Sequence, residues 1–166
     1  MRRTWNGLGL TAPKHNNIVV FMMLQFDPNT GYLPPGVHAA EWSDVQDRFV
    51  ENSHRARLLG GLLAACRNLA AAGCGELLLD GSFVTEKPLP RDYDGAWETA
   101  GVDPDRLDPV LLDFSNRRAA MKAKYLGDLF PASALAAPGV LYRDFFKTDR
   151  DGVEKGVVLI DLESLP

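Results

Sequence analysis

A mixed α/β (α+β) domain, a small mixed β-sheet flanked by helices, is the fold class the sequence predicts. Three observations predict it. A long apolar stripe at helical spacing runs between Ser53 and Gly73, a short apolar run Glu76-Leu-Leu-Leu79 closes on Asp80-Gly81, and a second run, Gly156-Val-Val-Leu-Ile-Asp161-Leu162, lies late in the chain. Helix-period and strand-like segments that follow one another in this way describe a layered sandwich around one core.

The elements follow in order. Residues 1–23 read as a flexible N-terminal extension, with Arg2 and Arg3 ahead of the apolar run Ile18–Leu24 and no small-residue cleavage site after it. An alternative is an early start codon upstream of Met22 or Met23. Residues 24–166 read as a single domain. The stretch 27–37 is dense in turn formers, and Pro34-Pro35 bars a helix interior, so it is expected to be an ordered loop or arm. His38, just after it, is expected to order a helix start. Ser43 with Gln46 fits a capping box ahead of a short helix over Asp44–Glu51. Asn52 and Ser53 are candidate caps for the next helix, whose face is Leu58, Leu59, Leu62, Leu63, Cys66, Leu69 and Ala70, with Gly73 at its end.

Glu76–Leu79 then reads as a buried strand. Pro88 and Pro90 make 83–91 a loop, and Tyr93–Trp97 is the second strand. Residues 103–113 carry one helical turn, 115–129 a helix, and 131–139 a small-residue linker. Leu141–Phe146 has no clear period. Asp151-Gly152 marks a turn, and 156–162 is the clearest strand.

Composition excludes several classes. Hydrophobic residues are 46% and charged residues 24%, with a net charge of −4. These are globular values, without the excess of Lys and Arg that coats nucleic acid nonspecifically. No apolar run approaches the ~20 residues that span a bilayer, so no membrane partner and a cytoplasmic location are expected. Cys66 and Cys74 sit in no CxxC pair or zinc spacing and read as small, partly buried thiols in a reducing cytosol.

The chemistry concentrates in one segment. Gly81-Ser82 ends the first strand, and nine residues later come Asp92-Tyr93-Asp94. Carboxylates at i and i+2 of a strand point to one face, where they repel each other unless a cation lies between them. Mg²⁺ takes one or two carboxylates together with phosphate oxygens. Gly81 lets a phosphate come close to the backbone, and the Ser82 hydroxyl with nearby N–H groups can hold its oxygens. Asp161, on the clearest later strand, is the first choice for a third carboxylate; Asp113 and Asp144 follow it. Lys87 lies in the loop between the two halves and is within reach of a phosphate. Arg118 and Lys122 are one turn apart on a basic run with Arg117 and Lys124, suited to a triphosphate or RNA, although a solvated face accounts for them better. His15, His38 and His54 have no partner motif for acid–base work.

Leu79-Asp80-Gly81-Ser82, nine residues, then Asp92-Tyr93-Asp94 resembles the signature of the minimal nucleotidyltransferase (polymerase-beta-like) superfamily. Gly31–His38, Asp80–Pro88, Asp92–Asp94 and Lys155–Leu162 together resemble a poorly characterised bacterial family of nucleotidyltransferase-like proteins, over nearly everything after residue 24. Two positions depart from the superfamily pattern: Asp80 where an apolar residue is usual, and Gly95 where a bulky strand residue is.

The resemblance implies a nucleotidyltransferase fold and Mg²⁺-dependent transfer of a nucleoside monophosphate from an NTP to a hydroxyl on a protein or tRNA acceptor. The wider superfamily often occurs in toxin–antitoxin and phage-defence pairs, which implies a partner protein encoded nearby. In that reading Asp92, Asp94 and Asp161 bind metal and carry catalysis, while Gly81, Ser82 and Lys87 bind nucleotide. A competing reading is a catalytically weak or inactive module that kept the shape and acts by protein contact, as an antitoxin. A hydrolase or nuclease ranks last.

Overall fold

Apolar runs and capping residues divide the chain of the computed structural model, which describes residues 24–166, into β1 (Gly36–Ala40), α1 (Trp42–Phe49), α2 (Ser53–Ala71), β2 (Glu76–Asp80), β3 (Asp94–Trp97), α3 (Ala119–Tyr125), β4 (Asp128–Pro131), β5 (Leu135–Ala137), β6 (Val140–Leu141), α4 (Tyr142–Phe145) and β7 (Gly156–Asp161). The flexible extension expected over 1–23 lies outside the described residues. The mixed α/β class expected from the sequence is the class observed.

The main sheet has the order β1-β7-β2-β3-β4. β1 runs parallel to β7 and β3 parallel to β4, while β2 is antiparallel to both β7 and β3. Alternation divides the side chains. Leu77, Leu79, Leu129, Val158 and Ile160 face α1, α2 and α3, where Leu58, Leu62, Cys66, Leu69, Met121 and Tyr125 complete the larger core. Leu78, Ala96, Phe130 and Val157 face the other way, under Tyr142 and Phe146. Both faces of β2 are therefore covered, which is why Leu77-Leu78-Leu79 is apolar without alternation.

Several elements differ from expectation, each for a local reason. His38 begins no helix; it stands on β1, and its Nε2 donates to Pro34 O at 2.6 Å. α1 starts before Ser43, because Asp44 accepts from the Glu41 N–H at 2.8 Å in place of the Ser43/Gln46 pair. α2 matches expectation at both ends. Asn52 accepts from Arg55 N at 2.9 Å, and Cys74 N–H reaches Leu69 O while Gly73 N–H reaches Ala70 O, the two bonds of a Schellman ending.

The helix expected over 115–129 is split. Ser115–Arg118 is a 3₁₀ turn and α3 ends at Tyr125, with Leu126 left-handed. Gly127 then passes so close to Tyr93 that a β-carbon there would lie 2.5 Å from the ring, and the Tyr93 hydroxyl donates to Tyr125 O at 2.7 Å. That crossing ends the helix and lets 128–131 leave as β4. The expected linker 131–139 contributes β5, paired with β6 in a two-stranded hairpin. Among the described residues no helix is long and apolar enough to cross a membrane.

One polar group organises the approach to β3. Arg55, on the first turn of α2, is only 2% exposed and, among the described residues, forms no ion pair. Its Nη1 donates to Phe49 O at 3.0 Å and Phe83 O at 2.7 Å, and its Nη2 to Thr85 O at 2.7 Å and Lys87 O at 2.9 Å. Asn52 Nδ2 donates to Pro88 O and His54 Nε2 to Pro90 O. The loop 83–90 is thus read carbonyl by carbonyl from the start of α2.

Replacing Arg55 should leave those carbonyls buried without donors, at several kcal/mol. Arg55→Met is expected to lower unfolding stability by about 3–5 kcal/mol in urea titration. Arg55→Lys should recover little of it, because one ammonium cannot span four carbonyls. A loss below about 1 kcal/mol for Arg55→Met would show that the loop holds itself.

Candidate functional site

Three strands deliver aspartates to one end of the sheet. Asp80 is in register with Asp94, and Asp94 with Asp128. Residues opposite one another in a ladder share a face. The three carboxylates therefore form a row on the face away from α1 and α2, one step beyond the Leu78–Ala96–Phe130 row. Asp92 joins the row from the residue pair before β3. Between Asp92 and Asp94, Tyr93 is fully buried in the helix-side core, which fixes the orientation of its neighbours.

Gly81 follows Asp80 directly. Its φ is +85°, and a β-carbon there would come within 2.5 Å of Asp94 Oδ2, so both backbone and space require glycine. Ser82 opens a 3₁₀ turn, Ser82–Val84, anchored by buried Phe83 and Val84 and by Thr85 Oγ1 donating to Ser82 O at 2.8 Å. The Gly-Ser turn thus touches the Asp-x-Asp strand, as the sequence spacing implied.

The chain supplies its own cations. Arg118 holds Asp128 in a two-pronged pair, Nε to Oδ1 at 2.9 Å and Nη2 to Oδ2 at 3.1 Å. Lys122 Nζ bridges Asp128 Oδ2 at 3.0 Å and Asp92 Oδ2 at 3.4 Å. Lys155 pairs with buried Asp80. Among the described residues Asp94 has no such ion pair. Burial, then Asp92, Asp80 and Asp128, push its carboxyl up to about 7, with Lys122 pulling the other way. Burial also raises Asp80, against the pull of Lys155. Four carboxylates face three cations, and the uncompensated charge rests on Asp94.

The predicted residues separate accordingly. Asp92, Asp94, Gly81 and Ser82 are brought together. Asp161 is not: it pairs in register with Glu76, at the opposite end of β2 from Asp80, and its Oδ1 accepts from Glu163 N at 2.9 Å to cap the last turn. Asp113 is partly exposed and caps Ser115, and exposed Asp144 pairs with Lys147 at 2.9 Å. Lys87 is exposed, and its carbonyl is the part that is held, by Arg55. The third carboxylate beside Asp94 is Asp128, which sequence reading enclosed in a helix. Its signal was Gly127-Asp128 ahead of Leu129-Phe130, the same turn-then-apolar-run pattern that marks a strand edge.

Hard carboxylate oxygens are the donors Mg²⁺ takes, so the residue types fit that ion. The Lys122 ammonium lies between Asp92 and Asp128. Among the described residues no three His, Cys, Asp or Glu side chains are grouped to hold a metal.

Residues 24–161 match the profile of a family of unknown function (DUF6932). No curated protein and no solved structure matches the chain.

The raised carboxyl of Asp94 sets a pH dependence. Between its unfolded value near 4 and its folded value of about 7, the folded chain carries a proton that the unfolded chain lacks. Its contribution to stability therefore falls as pH rises through that window. Asp94→Asn should match the native protein near pH 4 and exceed it at pH 8, by on the order of 2 kcal/mol in denaturant unfolding. An unchanged gap between the two proteins from pH 4 to pH 8 would contradict the assignment.

Proposed function

We propose, for a chain that belongs to the DUF6932 family, a Mg²⁺-dependent nucleotidyltransferase activity that moves a nucleoside monophosphate from an NTP to a hydroxyl on a protein or tRNA acceptor. The observation that carries it is the Asp80–Asp94–Asp128 register, with Asp92 alongside and the Gly81-Ser82 turn in contact with Asp94. Three adjacent strands carry these carboxylates in one row at the same end of the sheet, beside a turn suited to phosphate. The resemblance supports the same reading. Placement in a toxin–antitoxin or defence pair, with a neighbouring partner protein, rests on the resemblance alone.

In this reading the acceptor oxygen bonds to the α-phosphorus, the α–β phosphoanhydride bond breaks, pyrophosphate leaves, and the hydroxyl proton passes to the carboxylate row. Asp92, Asp94 and Asp128 would hold Mg²⁺, which supplies charge neutralisation at the transferring phosphoryl group. Gly81 keeps the turn backbone close against the Asp94 carboxylate. Arg118 and Lys122 exchange carboxylate partners for phosphate oxygens, so that their charge follows the triphosphate.

A second reading has its own observation. Lys122 already bridges Asp92 and Asp128, and Arg118 already satisfies Asp128, so the row is largely neutralised without a metal. A module of this kind can act by protein contact without turnover.

One experiment separates them. Purified protein is incubated with α-labelled NTPs, Mg²⁺ and cell extract, beside Asp92→Ala/Asp94→Ala. The transferase reading expects labelled acceptor from the native protein and a loss of at least about 100-fold in the variant. Equal labelling by both removes it. Partner binding that survives the double substitution, with no labelling by either protein, supports the contact module.

A further inference from the structure

The face that carries the carboxylate row also carries a stack of rings. Phe130 lies two residues beyond Asp128 on β4. The Tyr142 ring lies 4.0 Å from it at 10°, and the Phe114 ring 6.1 Å from it at 11°. Three near-parallel rings thus stand beside the row. Arg118 joins the two features: its guanidinium carbon is 5.2 Å from the Phe130 centroid, while its nitrogens hold Asp128.

The stack is not closed over by the fold. Phe130 is nearly buried, but Phe114 is 44% exposed and Phe145, edge-on to Tyr142, is 47% exposed. The backbone that brings Phe114 there is unusual. Asn116, Arg117 and Arg118 follow it with φ of 46°, 55° and 62°. Three successive left-handed residues without glycine are disfavoured at about 1–2 kcal/mol each. Backbone of that kind persists where its surroundings hold it, and it gathers at ligand sites. Here it places Phe114 and Arg118 on the same ring.

We propose that this stack is the seat of a nucleobase, with Phe114 as its outer platform and the phosphates directed to Arg118 and Lys122. The inference rests on the nucleotidyltransferase reading of the carboxylate row and adds where the base of its substrate lies. A flat π-system continues a parallel stack, and the neighbouring guanidinium strengthens it. Charge complementarity argues for a nucleotide over an apolar segment. Arg118 lies against Phe130 and, with Lys122, on Asp128 beside the stack, and a nucleoside triphosphate presents a flat apolar surface and a polyanion together. Stacking accepts every base, so purines are favoured over pyrimidines by ring size and not by edge readout.

The test compares ATP, UTP and inorganic tripolyphosphate, each with Mg²⁺, by calorimetric titration of the native protein, Phe114→Ala and Phe114→Tyr. The native protein should bind ATP about tenfold more tightly than tripolyphosphate, with UTP between them. Phe114→Ala should erase the ATP advantage and leave tripolyphosphate affinity unchanged, and Phe114→Tyr should restore the advantage. Tripolyphosphate binding as tight as ATP binding, or equal weakening of both by Phe114→Ala, would overturn the base seat and leave the transferase reading standing. Binding of none of the three would remove both.

Discussion

A guanidinium without a carboxylate partner is the constraint on which the site depends. Arg55 reaches four carbonyls, one at the end of α1 and three in the loop after Ser82. Beyond the Tyr32–Thr85 bridge, such a loop of Thr, Glu, Lys and Pro residues joins no named strand or helix, and unpaired carbonyls cannot stay in a buried setting. The planar fork of arginine meets several acceptors from one position, which an ammonium cannot do. Ser82 leads into this loop and Asp92 leaves it, so holding the loop also holds the distance between the two halves of the motif. Asn52 and His54 extend the same grip to Pro88 and Pro90.

On that frame, the end of the sheet is an exercise in charge balance. Asp80, Asp92, Asp94 and Asp128 lie together with Lys155, Lys122 and Arg118 among them. Each cation comes from a different place: Lys155 from the entry to β7, Lys122 from α3, Arg118 from the strained turn before it. The balance is incomplete at Asp94. A site that leaves one carboxylate ready to accept charge is suited to a polycation or a metal–anion pair and is poorly suited to a bare anion.

Much of this was legible in the sequence, and the boundary is physical. α2, β2 and β7 have long periodic or continuous apolar patterns, and each is found where expected. The Gly81-Ser82 and Asp92/Asp94 halves meet because their spacing is local. β1 and β4 are not legible because they are short edge strands that begin at a glycine or just after one. Asp161 lies away from Asp92 and Asp94 for a subtler reason. Asp161 sits on the clearest strand, but β7 runs antiparallel to β2, so its C-terminal end meets the N-terminal end of β2. Strand direction is a property of the topology, and no composition of a single segment carries it. Asp128 needed both a helix boundary and a parallel pairing, neither of which is local. The Arg55 grip is equally silent, since nothing in Ser53-His54-Arg55 announces carbonyls thirty residues away.

The strand order also sets a timetable. β2, β3 and β4, which hold Asp80, Asp94 and Asp128, are drawn from residues 76–131 and pair with one another directly. β1 comes first among the described strands, yet its ladder partner is β7, more than a hundred residues later. Contacts that wait on distant segments form slowly. During vector synthesis the carboxylate row is therefore able to assemble while β1 still lacks its neighbour. Lys155, at the threshold of β7, arrives last, and until it does Asp80 is a buried charge without a partner. The nascent domain is electrostatically unfinished on that side, which makes the exposed β1 and β2 edges its most vulnerable surface to wrong pairing with other chains.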